Sequence, residues 1–185
     1  MRAHHPFERW WDEHHGGVAP LGFVLREARP ERWLRVHSLP DSKRYPDTED
    51  EWATLLSRQR DLAAELLGGA TPAWLVIAGT YLDARGALLV PAGVALAPAL
   101  ERVVEHDALE DSEPWTFHAA EVRWDFARFE PVLRAIANDE MRAVWVASES
   151  GRVFAPYDGG VDVIVESRVE RERLRARFGS WVVGL

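Results

Sequence analysis

Cysteine is absent from the 185-residue chain, which excludes a disulfide scaffold, a thiol nucleophile and a zinc site built on thiolates. No apolar run approaches the roughly 18 residues that a membrane helix requires, and the first residues are His, Arg and Glu-rich where an export signal would be apolar. A soluble cytoplasmic protein without membrane contact is expected. Lysine is nearly missing as well: Lys43 is the only one among 22 basic residues. Thirty acidic residues outweigh these and leave a net charge of −8, so the overall field repels phosphates and nucleic-acid binding is not expected. Gly-x-Ser-x-Gly, the phosphate-cradling Gly-x-x-x-x-Gly-Lys-Ser/Thr and a Gly-x-Gly-x-x-Gly turn do not occur. Nor do internal repeats, low-complexity tracts or a linker long enough to separate one domain from another. No cofactor is implied.

What is present is enough apolar material, 47% of the residues, for one packed core. Nine tryptophans are scattered about one per expected element, as anchors of a core would be. Residues 7–15 read as a short helix stopped by Gly16 and Gly17, while 18–28 carry no clear period. Alternation over 32–38 predicts a strand with Trp33 and Arg35 on one face and Leu34 and Val36 on the other. Thr48 and Glu51 form a capping box ahead of apolar residues at helical spacing, and Gly68 supplies the stop, so a helix over 49–67 is specified at both ends. Residues 73–82 are almost continuously apolar, as in a strand buried on both faces. Residues 83–99 resist assignment, and 105–113 read as an acidic, solvated loop. A strand is expected over 115–124 with a bulge near Ala120. A helix opened by Pro131 runs to about Asn138. A meander over 143–165 then turns at Glu149-Ser150-Gly151 and Asp158-Gly159-Gly160, before a second capping box, Ser167 to Glu170, starts a C-terminal helix. The expectation is a single α+β domain: a mostly antiparallel sheet of five or six strands packed by about three helices, with residues 1–30 open to being a loosely packed segment.

Two segments carry a resemblance. His37-Ser38-Leu39-Pro40-Asp41-Ser42-Lys43-Arg44-Tyr45-Pro46, ahead of the long helix, and Tyr157-Asp158-Gly159-Gly160-Val161-Asp162-Val163, in the late hairpin, are similar to those of an uncharacterised bacterial family of small cytosolic proteins, common in actinobacteria. The resemblance runs from about residue 30 to the end and is weakest over 83–113. It implies a fold and a lineage, and no catalytic residue comes with it.

Four clusters could carry chemistry. His4, His5, His14 and His15, beside Asp12 and Glu13, are the ligand types of zinc, nickel or iron, but adjacent doublets point apart where a helical metal pair needs i and i+4, so no metal site is assigned. Ser42, Lys43, Arg44 and Tyr45 precede a helix start, where cations and free amides could hold an anion; Asp47, Glu49, Asp50 and Glu51 already occupy that first turn, so Lys43 and Arg44 are as readily their partners. In the hairpin, Tyr157, Asp158 and Asp162 offer two carboxylates, although Gly with positive φ and a capping Asp are also what a tight turn asks for. The C-terminal helix sets Arg168, Arg171, Arg173, Arg175 and Arg177 against Glu170 and Glu172, a basic face that i,i+3 pairing would explain. By elimination the chain is expected to be a small protein-interaction module of regulatory or toxin-neutralising type. The alternative is a small-molecule-binding protein or hydrolase with its site between the Ser42–Tyr45 loop and the Tyr157–Asp162 hairpin.

Overall fold

The computed structural model describes residues 5–69, 71–104 and 114–182. Alternation of side chains across a strand lets one sheet serve two cores, and the molecule is built on that. Seven antiparallel strands, β1 (Trp33–His37), β2 (Pro72–Ala78), β3 (Ala97–Val103), β4 (Pro114–Arg123), β5 (Ala143–Ala147), β6 (Val153–Tyr157) and β7 (Gly160–Ile164), lie in the order β1-β7-β6-β5-β2-β4-β3. Six helices accompany them among the described residues: α1 (Pro6–His15), α2 (Gly22–Ala28), α3 (Glu49–Leu67), α4 (Ala84–Leu89), α5 (Phe126–Ala137) and α6 (Arg168–Arg177).

On one face Leu34, Leu75, Trp145, Phe154 and Val163 meet Leu55 and Leu62 of α3, Phe129 and Leu133 of α5, and Leu174 of α6. Trp145 is fully buried there, edge-on to Trp124 and Phe129, the geometry that the ring quadrupole favours. On the other face Val76, Phe117, Val146, Val153 and Ile164 are covered by Phe7 and Trp11 of α1 and Leu25 of α2. The stretch left open to loose packing is thus the second core's cover. All five residues of β5 are buried, which is why that strand reads as an unbroken apolar run.

The α+β class and antiparallel pairing are as expected, while among the described residues the strand count rises to seven and the helix count to six. The seventh strand is β3, whose Pro98 and Glu101 hid its period; α1 is the short helix expected over 7–15, and the unexpected helices, α2 and α4, have only seven and six residues. The expected bulge at Ala120 is not there, because β2 and β4 pair in unbroken register from Pro72–Arg123 to Ala78–Phe117. The register shift falls instead on the other side of β4, between Pro98 and Leu100 of β3, where proline cannot donate to the ladder. Helix α5 also begins five residues before Pro131. Asp125 caps it by accepting from the Arg128 amide at 3.3 Å, and buried Phe129 continues the Val132, Leu133 and Ile136 stripe upstream of the proline. The expected acidic loop at 105–113 lies outside the described residues, as does His4.

Both other caps form as expected. Thr48 Oγ1 accepts from the Glu51 amide at 3.2 Å and Ser167 Oγ from the Glu170 amide at 3.2 Å. In α6, Arg173 and Arg177 pair with Glu65 of α3 and Arg175 with Glu172, so much of its basic face ties the helix to its neighbour.

The histidines serve α1. His5 caps it through Nδ1, which accepts from the Phe7 amide at 3.2 Å, and His14 and His15 stack on Trp10 and Trp11 at 4.2 and 4.1 Å. Members of the doublet point apart, and among the described residues no three His, Asp or Glu side chains gather as a metal set. Burial, with Arg32 nearby, pushes the His15 imidazole down to about 3. The ring is therefore neutral in the fold and basic in the unfolded chain, so stability falls as pH drops below the unfolded value of 6.5 and the loss ends near 3. Between pH 6.5 and 5 the expected loss is about 2 kcal/mol, at up to roughly 1.4 kcal/mol per pH unit. Urea melts of the wild type and of His15→Phe, which keeps a ring against Trp11, check this: the two profiles should diverge as pH falls, and parallel profiles would refute it.

Candidate functional site

A carboxylate on the buried side of a strand needs a cation and hydrogen-bond donors. Asp162 stands on β7 between Val161 and Val163, facing the α1–α2 side of the sheet, and is 3% exposed. Its register partners are Arg35 on β1 and Ala155 on β6. Arg35 donates from Nε to Oδ1 at 2.9 Å and from Nη2 to Oδ2 at 3.1 Å, while Trp33 Nε1 donates to Oδ1 at 2.9 Å. Burial works against the Arg35 cation, but the hydrogen bonds and charge of Asp162 prevail and hold its pKa above the ordinary value. The same guanidinium lies over the Tyr157 ring, 5.0 Å from its centre, a placement that the ring's negative face favours.

Asp158, also 3% exposed, is met by the other loop. Arg44 forms an ion pair with its Oδ2, and Tyr45 donates its hydroxyl to the same oxygen at 2.7 Å. The Ser42–Tyr45 loop and the Tyr157–Asp162 hairpin, more than a hundred residues apart in sequence, are therefore in direct contact. Lys43 does not join them: its ammonium pairs with Asp47 at 2.8 Å and Glu51 at 2.6 Å, which fulfils half of the first-turn pairing. Arg44, the other half, goes to the hairpin. Ser42 turns toward His37, with Oγ and Nε2 3.3 Å apart.

The hairpin glycines are not there for positive φ, which neither Gly159 nor Gly160 adopts. The reason at Gly160 is close approach: a Cβ would stand 2.2 Å from the Val36 carbonyl oxygen on β1. That bare position also lets the Tyr157 hydroxyl lie within 3.1 Å of where the Cβ would be.

Between these segments and the start of α2 is a cleft of about 200 Å³. Leu21, Gly22, Phe23, Val76, Val144 and Ala155 give it an apolar floor and wall; Arg35, Arg44, Arg142, Tyr157, Asp158 and Asp162 give it polar groups. Gly22 brings the backbone against the sheet, its Cβ position 3.1 Å from Ala155 Cβ and 3.4 Å from Asp162. Burial pushes the Tyr157 phenol up to about 12, with Arg35 opposing, so it remains an O–H donor at neutral pH. Arg35 and Arg44 are each bound to a buried carboxylate, whereas Arg142 reaches Asp139 only at 3.4 Å. It is the least committed of the three guanidiniums.

Of the residues singled out from sequence, Arg44, Tyr157, Asp158 and Asp162 line the cleft, Tyr45 braces its edge, and Ser42 and Lys43 do not line it. Sequence reasoning passed over Trp33, Arg35 and Arg142. Arg35 had a signal, being a cation on the face that β1 turns away from Leu34 and Val36 and so in need of an acid on a neighbouring strand. Arg142 had none.

The geometry defines an α+β domain with a compact arginine-lined cleft on one face of an antiparallel sheet. The chain belongs to the family described as Domain of unknown function (DUF3885), whose model matches residues 21–184. That stretch contains every element except α1. No curated protein and no solved structure matches the chain.

Removing Asp162 would leave Arg35 beside apolar residues without its carboxylate. Asp162→Ala is expected to destabilise by about 3 kcal/mol, measured by urea denaturation. A loss below about 1 kcal/mol, the size typical of an exposed pair, would show that the pair is hydrated and does not organise the cleft.

Proposed function

We propose that the chain is a small-molecule-binding domain whose ligand is a compact organic acid held in the cleft between the two loops. The observation that carries this reading is the gathering of Arg35, Arg44, Arg142 and Tyr157 around an apolar floor. Small-ligand sites are usually of this kind, mostly apolar with a few convergent polar groups. At about 200 Å³ the cleft is below the roughly 300–1,000 Å³ that takes drug-sized molecules, so the ligand is a metabolite-sized one. Two of the guanidiniums are held closely by Asp158 and Asp162, whereas Arg142 has the longer 3.4 Å pair with Asp139 and is the one most open to a ligand anion. An acid would place its carboxylate or phosphate there, accept a hydrogen bond from Tyr157 and rest its body on Val144 and Ala155. Arginine suits this work because its planar fork matches a carboxylate with two parallel hydrogen bonds.

Titration of isotope-labelled protein with small carboxylates and phosphate monoesters, followed by NMR, tests the reading. Saturable shifts confined to residues around Tyr157 and Arg142 are expected. Arg142→Ala should weaken binding roughly tenfold to a hundredfold, the value of one or two charge-assisted hydrogen bonds. If no member of the panel moves those resonances at millimolar concentration, the proposal fails.

A protein partner of regulatory or toxin-neutralising kind is the second reading, drawn from the net charge of −8 and from Tyr45, which is 43% exposed at the cleft edge. Among the described residues the other exposed large apolar side chains, Leu88, Val103 and Val169, stand on three separate elements, so charge would have to dominate such a contact. A pull-down from source-cell lysate should then release one stoichiometric protein as salt is raised; a blank at low salt would end this reading.

A further inference from the structure

We propose that Ser42 and His37, one strand row beyond the cleft-lining Arg35–Asp162 pair, are a nucleophile and general base, and that the chain hydrolyses esters of the small acids bound in the cleft. The substrate class rests on the reading above; the pair itself rests on separate observations.

The first is direct. Ser42 Oγ lies 3.3 Å from His37 Nε2, within the looser range expected of a nucleophile and its base before substrate arrives. With the ring proton on Nδ1, Nε2 accepts from the serine hydroxyl.

The second is the backbone. Asp41 and Ser42 both hold left-handed conformations, at φ 56° and 60°, which residues with a Cβ adopt only where surrounding structure enforces it. Here the enforcement is visible on both sides of the turn. Arg58 donates to the His37 carbonyl at 3.1 Å, Gln59 donates to Ser38 Oγ at 3.1 Å, and the Ser38 amide donates to the Gly159 carbonyl at 3.3 Å. Downstream, the Lys43 amide closes on the Pro40 carbonyl at 3.1 Å, Lys43 is tied to Glu51, and Arg44 and Tyr45 to Asp158. A serine on a tight, strained turn projects its hydroxyl outward, as a nucleophile must, and Ser42 is exposed.

The third is placement. His37 ends β1 opposite Gly160, which in turn faces Tyr157 on β6. With no side chain at Gly160, the Tyr157 hydroxyl leans over that position toward β1. His37, the Tyr157 O–H donor and the Arg35–Asp162 pair thus share one face of the sheet in consecutive rows, next to the cleft.

The reaction balances without a cofactor. Ser42 Oγ forms a bond to the acyl carbon as His37 Nε2 takes its proton, and the carbonyl π electrons move to oxygen, where the Tyr157 O–H donates a hydrogen bond. Collapse breaks the bond to the alcohol oxygen, which leaves with the proton from His37. Water then attacks the acyl-serine, giving a proton to His37, and the acid departs as that proton returns to Ser42. One ester and one water become one acid and one alcohol.

A fluorophosphonate probe tests the pair, because it carries its own electrophilic phosphorus and needs no anionic end to seat in the cleft. One equivalent is expected to attach to the wild-type protein with loss of fluoride, located at Ser42 by peptide mass spectrometry. Ser42→Ala should abolish that adduct, and His37→Gln, or His37→Asn if the first does not fold, should slow it at least about a hundredfold, the lower end of what a general base supplies. Labelling at Ser42 in a protein that fails to bind any small acid would overturn the cleft reading and leave the pair standing. A wild type that binds acids yet gives no Ser42 adduct, or an adduct whose rate ignores His37, would overturn the pair.

Discussion

A carboxylate set into the buried side of a β-sheet cannot be left unanswered, and the answer to Asp162 organises much of the molecule. Arg35 and Trp33, two residues apart on β1, both reach it, which requires β1 to pair with β7 in one register only. A slip of one position would turn Arg35 to the opposite face among Leu55 and Leu62 and leave Asp162 without a counterion. The same guanidinium positions Tyr157, and the Asp162 side chain is what Gly22 lies against at the start of α2. Buried pairs of this type contribute little net stability, since desolvation offsets most of the attraction. Their effect here is to choose among alternatives: which strand lies outermost, which way its side chains face, and where the helix above can touch.

The features legible in the sequence were those whose determinants are local. Thr48 with Glu51 and Ser167 with Glu170 announce helix starts within four residues, and the alternation of Leu34 and Val36 against Trp33 and Arg35 assigns the faces of β1. What escaped depends on contacts between distant segments. Strand β3 has a broken period because its irregularity is absorbed by pairing with β4, and α5 extends past Pro131 because its buried stripe outweighs the lost hydrogen bond. The Gly159-Gly160 pair suggested turn chemistry, whereas Gly160 answers to a carbonyl more than a hundred residues away. For the site, the two loops could be named from their residue types. That Arg44 crosses to Asp158 while Lys43 stays with its own helix is a matter of geometry alone.

The two cores differ in what they do for the cleft. The face covered by α3, α5 and α6 is filled by large interlocking side chains and has few polar interruptions, as suits a close-packed platform. The face under α1 and α2 is covered by shorter helices, and at the end away from α1 the cover stops short of the sheet. The cleft occupies that gap. Its floor is therefore the sheet itself, held rigid from behind, while its rim consists of the start of α2 and the two loops that clasp one another. Rigid floor and clasped rim together keep the polar groups in place before any ligand arrives, which lowers the ordering cost of binding.

At the sheet's margins, Val36 of β1 is bridged by Val182, which reaches it after α6, and β3 carries Pro98 beside its register shift. Unpaired strand edges are where chains add to one another, and bulges, prolines and covering segments are how such addition is discouraged. Both margins of this sheet are blunted in these ways. The molecule is thereby guarded against self-templated stacking into fibres, and any macromolecule that engages it has to do so through its loops and faces, because neither border offers a clean ladder to extend.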